Sequence, residues 1–338
     1  MTEDLADGDS GLVELGVAAR QASAGEVAGE ERVLPEAQHL GEVARVFGAL
    51  ELGGTKTVVA VGDGAGNVMA EERFPTTSPE ETLARAVAWL RTGGQSIVGL
   101  GVASFGPIRV NRDAPDFGTM LGTPKAQWRN FPVGGYLADA FPGVTLALDT
   151  DVNAAVLAEA TLGAAIGVDD LVYITIGTGI GGGILSGGRL VHGLLHPEFG
   201  HLKTPRAPGD AFAGVCPYHG DCLEGMACGP AISERWGVPG HQLPDGHPAW
   251  EAEAWYLAHG ILALLAIVSP ARVIVGGGVS QAGGLHDHIN RLLLELAGGY
   301  FPALLEDPPF VVEAGLGQEA GIRGALLLAS GEWKANRR

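Results

Sequence analysis

The chain is poor in cysteine, in positive charge and in long apolar runs, and each shortage removes a class of roles. Only 3 of its 338 residues are cysteine, too few for the disulfide framework of a small secreted domain, so the expected compartment is the reducing cytoplasm. Basic residues number 21 against 39 acidic, a formal net charge of -18. Such a surface repels phosphate backbones and anionic lipid, and the expectation is therefore no nucleic-acid and no membrane partner. The longest apolar run, GILALLAIV at 260–268, stops at Ser269-Pro270 and falls well short of the roughly 20 residues a bilayer span requires. The N-terminus is acidic where an export signal would be basic, and no apolar core follows it.

Glycine is abundant instead, 54 residues in all. Residues 1–46 hold Ala, Glu and Gly with no aromatic side chain, and read as a disordered extension or a start codon placed too early. From Phe47 the pattern becomes strands broken by glycine. FGALEL, TVVAVG and VMAEERF read as three antiparallel strands, with GGTK and DGAGN as the turns. A helix is expected at 79–92 with Pro79 at its start, a buried strand at IVGLGVA (97–103), and a strand VTLALD running into a helix at TDVNAAVLAEATLG. The opening pattern then recurs: LVYITI, a glycine loop GTGIGGG, a strand ILS, a Gly-Gly turn and a strand RLVHG. This repetition suggests a duplicated fold. Helices follow at WEAEAWYLAHGILALLAIV, LHDHINRLLLELAGGY and QEAGIRGALLLA, with the strand ARVIVGGGVS between the first two.

GTGIGG at 177–182 matches G-x-G-x-x-G in form, but a hairpin rather than a helix follows it, which sets the dinucleotide reading aside. What remains is either a structural turn or a loop whose backbone N–H groups can approach a phosphate. GGTK at 53–56 is of the same kind, with a hydroxyl and an ammonium able to reach phosphate oxygens; no Walker-type G-x-x-x-x-G-K-[ST] occurs. Glu51 before that loop is either a solvated strand-end residue or a carboxylate that orients Mg²⁺ through water. Asp151, at a strand-to-helix junction, is either an N-cap or a base that takes the proton of a hydroxyl attacking a γ-phosphate. Cys216, His219 and Cys222 lie at C-x2-H-x2-C spacing, with His201 fifteen positions earlier. Together they offer the two thiolates and two imidazoles of a closed tetrahedral zinc site; a catalytic cysteine is the alternative, and Cys228 reads as a small core residue. Glu198 and Glu224 are either surface residues or, if a metal stiffens the loop, acceptors for the hydroxyls of a polyol.

From Phe47 to Ala329 the ordered set ELGGTK, SFGP, GTPKAQW, TDVNAA, YITIGTGIGGG, HPEFGH, CPYHGDCLEG, GPAI with RWG, and VIVGGGV resembles the repressor/ORF/kinase (ROK) family of sugar kinases, in its bacterial fructokinase-like branch. The resemblance implies an α/β, actin-like (ribonuclease H-like) two-domain fold with duplicated β-meander/α units and a zinc-bound loop. The expected boundaries are 47–163 and 164–315, with a helix at 316–333 packing back toward the first domain. It implies ATP-dependent phosphorylation of D-fructose to fructose 6-phosphate with Mg²⁺, a structural Zn²⁺ and a homodimer. Asp151 falls on the catalytic-base position, and Glu198, His201 and Glu224 on sugar-binding positions, so that His201 would serve metal and sugar alike. Gly54, Thr55, Lys56, Thr178 and Gly179 match the phosphate loops, Gly276, Gly277 and Gly278 the adenosine-side loop, and Pro230 a segment near the nucleotide. Thr150 stands where many family glucokinases have Asn, which weakens a glucose assignment. Another hexose, or a sugar-sensing regulator without catalysis, is the alternative, although an acidic N-terminus lacking periodic apolar helices does not resemble a DNA-binding domain. Lys125 and Trp128 match well with no role attached.

Overall fold

Two mainly apolar runs separated by Gly53-Gly54-Thr55, the second rich in β-branched residues, fold back on each other as β1 (Val46–Leu52) and β2 (Lys56–Gly62). The turn requires glycine, since a β-carbon on Gly53 would lie 2.6 Å from the Lys56 carbonyl oxygen. This computed structural model describes residues 45–92, 96–282 and 284–334. The expectation for residues 1–46 thus lies outside the described residues, apart from Arg45 and Val46. β3 (Val68–Pro75) adds antiparallel to β2, and α1 (Pro79–Thr92) buries Leu83, Ala86 and Leu90 in the cluster that holds Leu50, Val59 and Leu100. β4 (Ile97–Ser104) pairs in parallel with β1, and after α2 (Val133–Ala140) β5 (Thr145–Thr150) pairs in parallel with β4. The first sheet therefore runs β3-β2-β1-β4-β5.

α3 (Asp151–Leu162) leads to a second sheet built on the same plan. β6 (Leu171–Ile176) forms a hairpin with β7 (Ile180–Ser186), which pairs with β8 (Arg189–Leu190). A long excursion follows with α4 (Leu223–Ala227), α5 (Gly229–Trp236) and α6 (Ala249–Ile267). β9 (Arg272–Gly276), α7 (Leu285–Ala297), β10 (Val311–Glu313) and α8 (Ala320–Ser330) complete it. Its order, β10-β9-β6-β7-β8, repeats that of the first sheet.

Two elements depart from the sequence expectation. β7 begins at Ile180 and takes up Gly181, Gly182 and Gly183, which were expected in a loop. Those glycines serve close packing: a β-carbon on Gly183 would run into the Val152 carbonyl, and one on Gly182 would lie 2.8 Å from Phe199 Cβ. β8 keeps only two residues of the expected RLVHG strand, because His192 is drawn off the sheet toward the Asp149 carboxylate, 2.9 Å away.

The helices α3 and α8 join the two sheets. α8 follows the second sheet but packs on the first, burying Ile322, Ala325 and Leu326 with Phe47, Ala49 and Ala103. α3 follows the first sheet and packs on the second, burying Val152 and Val156 with Leu171, Tyr173 and Leu185. Each Val, Leu, Ile or Phe among them contributes about 1.5–3 kcal/mol when fully buried. The wholly buried Glu159 fastens the pair: its carboxylate accepts from Ala164 N at 2.7 Å, Gly315 N at 3.1 Å and Leu316 N at 2.9 Å. No helix among the described residues is long and apolar enough to cross a membrane.

Candidate active site

Both hairpin turns, the β5–α3 junction and the end of β9 converge on one cleft, since strand ends are where open α/β sheets leave backbone groups free for ligands. A cavity of about 670 Å³ is lined by Glu51, Thr55, Lys56, Asp151 and Gly276–Gly278, with Tyr173 and Gln318. A second, of about 740 Å³, is lined by Thr178, Pro230, His241 and Trp250. The two share Gly177, Gly278 and Gln281, so they adjoin. Gly277 adopts φ +92°, and its carbonyl holds Ser280 Oγ at 2.8 Å. Gly54 and Gly179, expected among the phosphate contacts, line neither cavity. Gly54 lies against the Lys125 side chain, and a β-carbon on Gly179 would be 2.6 Å from the Glu224 carboxylate.

At the head of α3 the capping question is answered. Thr150 is the N-cap, its hydroxyl accepting from Asn153 N at 3.1 Å, which leaves Asp151 in the first turn. One Asp151 oxygen accepts from Val152 N at 2.9 Å. Burial pushes the Asp151 carboxyl up to about 7 against the backbone N–H groups of Val152 and Asp151 itself, and the charge of Glu198 adds to the rise. Glu51 is not a solvated strand-end residue: burial, then the charge of Asp151, pushes it to about 7, and its Oε2 is buried without a hydrogen-bond partner. Glu198 also rises to about 7 through burial and the neighbouring Glu224. Its side chain remains 42 % exposed, so a polar ligand can reach it. Glu224 accepts from Ile180 N at 3.0 Å, which fixes its carboxylate at the base of the β6–β7 turn. Glu51, Asp151, Glu198 and Glu224 thus form a file of carboxylates, with Lys56 opposing the first.

His201, Cys216, His219 and Cys222 meet at the far end of that file. Their ligand atoms all lie within 4.8 Å of one another. Cys222 Sγ is 3.6 Å from His201 Nδ1, and Cys216 Sγ is 3.8 Å from the same nitrogen and 3.7 Å from His219 Nδ1. These edges suit a tetrahedron with bonds of about 2.3 Å to sulfur and about 2.0–2.1 Å to nitrogen. Burial pushes the Cys222 thiol up to about 11, so a cation is what would draw its proton off. Cys228 stands apart in the core, 2 % exposed.

Some side chains escaped the sequence reading. Asp149 accepts from Thr150 N at 2.8 Å, Asn153 Nδ2 at 2.7 Å and His192 at 2.9 Å, and so ties the β5–α3 junction to the segment that carries Glu198. His196, with only 3 % of its side chain exposed, accepts from Ile108 N at 3.2 Å and lies 3.3 Å from Glu198. Their signal was a polar residue in an otherwise aliphatic strand and the histidine that opens HPE, neither specific alone. A further cavity, about 1050 Å³, borders Asp149 and His192 but neither of the two glycine turns that face the cleft.

Residues 47–332 match the model of the ROK family. The chain belongs to the ROK family. A fructokinase of Zymomonas mobilis is 42% identical over 292 residues, covering 84% of this chain and 96% of the relative. A fructokinase of Pediococcus pentosaceus is 39% identical over 292 residues, covering 86% of this chain and 99% of the relative. Among solved structures, the ROK hexokinase of Thermus thermophilus superposes with a TM-score of 0.68 at 30% identity, covering 86% of this chain and 99% of that one. This ROK chain therefore carries the actin-like sugar-kinase fold in its two matching sheets.

Proposed function

We propose that the protein is a fructokinase, transferring the γ-phosphoryl group of ATP to the 6-hydroxyl of D-fructose. The observation that carries this reading is Asp151: a carboxylate freed from capping, raised to about 7, at the edge of a cavity whose other wall is two glycine-rich phosphate loops. Relatives bearing the name fructokinase over most of both chains point to the sugar.

In the reading that follows, Glu198, Glu224 and the free edge of His201 hold the sugar hydroxyls. Asp151 accepts the 6-hydroxyl proton as that oxygen bonds to the γ-phosphorus, and the bridging oxygen leaves with ADP. Thr55, Lys56 and Thr178 take the phosphates, Gly54 and Gly179 keep side chains out of their path, and Gly276–Gly278 with Pro230 flank the adenosine. The orphaned Glu51 oxygen fits a hydrated Mg²⁺, which when bound supplies charge neutralisation to the phosphates. Zn²⁺ suits the donor set of His201, Cys216, His219 and Cys222, and when bound would hold the loop carrying Glu224. Closure would bring domains 47–163 and 164–315 together about α3 and the helix of 316–333. The reading includes a homodimer in the cytoplasm with no nucleic-acid or membrane partner, in keeping with the charge of -18.

A coupled ADP-release assay over fructose, glucose, mannose and N-acetylated amino sugars tests it. Fructose is expected to show the highest kcat/KM. A higher value for any other sugar overturns the assignment.

A further inference from the structure

The segment Gly122–Trp128 takes no part in the mechanism above, yet it is held at both ends. Tyr218, between two residues of the Cys/His cluster, donates its hydroxyl to the Gly122 carbonyl at 2.7 Å, and Arg129 Nε donates to the Thr123 carbonyl at 2.7 Å. At the other end Trp128 is 1% exposed, donates Nε1 to the Thr77 carbonyl at 2.9 Å and packs edge-to-face on Phe105 with ring centroids 5.3 Å apart. Between these anchors Lys125 reaches over the β1–β2 turn, its Cε 3.7 Å from the β-carbon that Gly54 lacks. Lys125 is half-buried and has no ion pair and no side-chain hydrogen bond among the described residues. Lys56, the other cation at this turn, already donates to Gln318 Oε1 at 3.4 Å.

A half-buried ammonium without an acceptor, on a segment fastened at each end, is arranged for an anion that arrives with the substrate. The cleft that Thr55 and Lys56 of the same turn help to line also holds the carboxylates of Glu51 and Asp151, which repel a phosphate unless cations intervene. Phosphoryl transfer gathers negative charge on the three equatorial oxygens of the group in transit, and catalysis consists largely of positioning and neutralising them. We infer that Lys125 is a catalytic residue whose ammonium, delivered across the β1–β2 turn, binds the phosphoryl group during transfer. This rests on the fructokinase reading. In the step, the fructose O6–H bond breaks with its proton passing to Asp151, the O6–P bond forms, and the P–O bond to ADP breaks with its electron pair on ADP. Lys125 keeps its protons throughout and acts as a fixed donor.

The test uses the full chain with Lys125→Met and Lys125→Arg, beside wild type. Fructose affinity by calorimetry and thermal stability should stay close to wild type in both, because the anchors of the segment are Gly122, Thr123 and Trp128. Lys125→Met should lower kcat about 100-fold or more, the usual cost of removing one donor to developing charge. Lys125→Arg should recover part of that loss. Trapping of ADP with aluminium fluoride in the presence of fructose should weaken in Lys125→Met while ADP affinity alone is kept. Wild type that phosphorylates fructose together with a Lys125→Met variant of near-wild-type kcat overturns the inference alone. A variant with unchanged kcat and raised fructose KM overturns it too, by making Lys125 a ground-state sugar contact. Wild type inactive on every hexose overturns the fructokinase reading and this inference together.

Discussion

The third strand of each sheet is where the two halves part company. In the first half β3 runs eight residues, Val68–Pro75, and extends the sheet past β2. In the second half β8 is two residues long, and the chain leaves the sheet at Val191 for the long segment that carries Glu198 and the Cys/His cluster up to the start of α4. The hairpins before these strands are alike, each with a glycine turn facing a cavity. The strand-to-helix junctions diverge again. After β5 the chain presents Asp151 to the cleft, whereas after β10 it presents the N–H groups of Gly315 and Leu316 to Glu159. One plan thus sets a carboxylate at the cleft at one junction and fastens two helices at the other, and the segment that carries Glu198 and His201 follows the strand that the second half shortened.

The largest effect should come from the first junction. Asp151→Asn is expected to lower kcat by about 10²–10⁴-fold, the range of general-base catalysis, while fructose affinity is kept and α3 stays capped by Thr150. Single-turnover phosphorylation with parallel calorimetry checks this, and near-wild-type turnover would remove Asp151 from the base role. The same group sets the pH profile. A base works only when deprotonated, and the Asp151 carboxyl titrates at about 7, so kcat/KM should rise with pH through that value. Glu51 and Glu198, also raised to about 7, should steepen the limb beyond one proton. On stability the sign is opposite: carboxyls raised in the folded state bind protons that the unfolded chain has lost, so folding is favoured toward pH 5 and weakened as pH passes 7.

The shortened strand is probed through its loop. Cys222→Ser should lower zinc from about one per chain to near zero, by elemental analysis, and raise the fructose KM by about 10–100-fold. The fall in kcat should be smaller than that for Asp151→Asn, because the role proposed for the cluster is to shape the loop and not to touch the transferred group. Wild-type protein that contains no metal, yet keeps its stability and fructose affinity, would break this contrast.

The positions of most strands and long helices were legible because apolar runs and glycine turns carry their own signal: the helix expected at 79–92 is α1, Pro79–Thr92. The Cys/His cluster was legible from spacing, since few arrangements of two cysteines and two histidines so close serve another end. Glu51 was not legible, because its burial is made by Gly321 on α8, some 270 positions away, against which it packs. The role of the glycines in β7 was hidden for the same reason. GTGIGGG reads as a loop until α3 is known to press on it, and helix-to-sheet approach is a tertiary fact without a local pattern.

That approach gives the finest test of the comparison. α8 meets the first sheet over β4, where a β-carbon on Gly101 would run into the Ala325 carbonyl; α3 meets the second over β7, where one on Gly183 would run into the Val152 carbonyl. In both cases the obstacle is helix backbone, which cannot rotate aside, so Gly101→Ala and Gly183→Ala should each cost about 1–3 kcal/mol in urea unfolding. Their effects on catalysis should differ. Gly183 displaces the first turn of α3, one residue from Asp151, and kcat should fall about tenfold, a fraction of what a 1 Å misplacement of a catalytic group costs. Gly101 displaces α8 at Ala325 and Ala329, so kcat at saturating fructose should stay within about twofold of wild type at a temperature where the variant is folded, as expected for a stability effect remote from the site. Equal losses of kcat in the two variants would mean that both helices set the position of the base, and that the two junctions are less divided in their work than their contacts indicate.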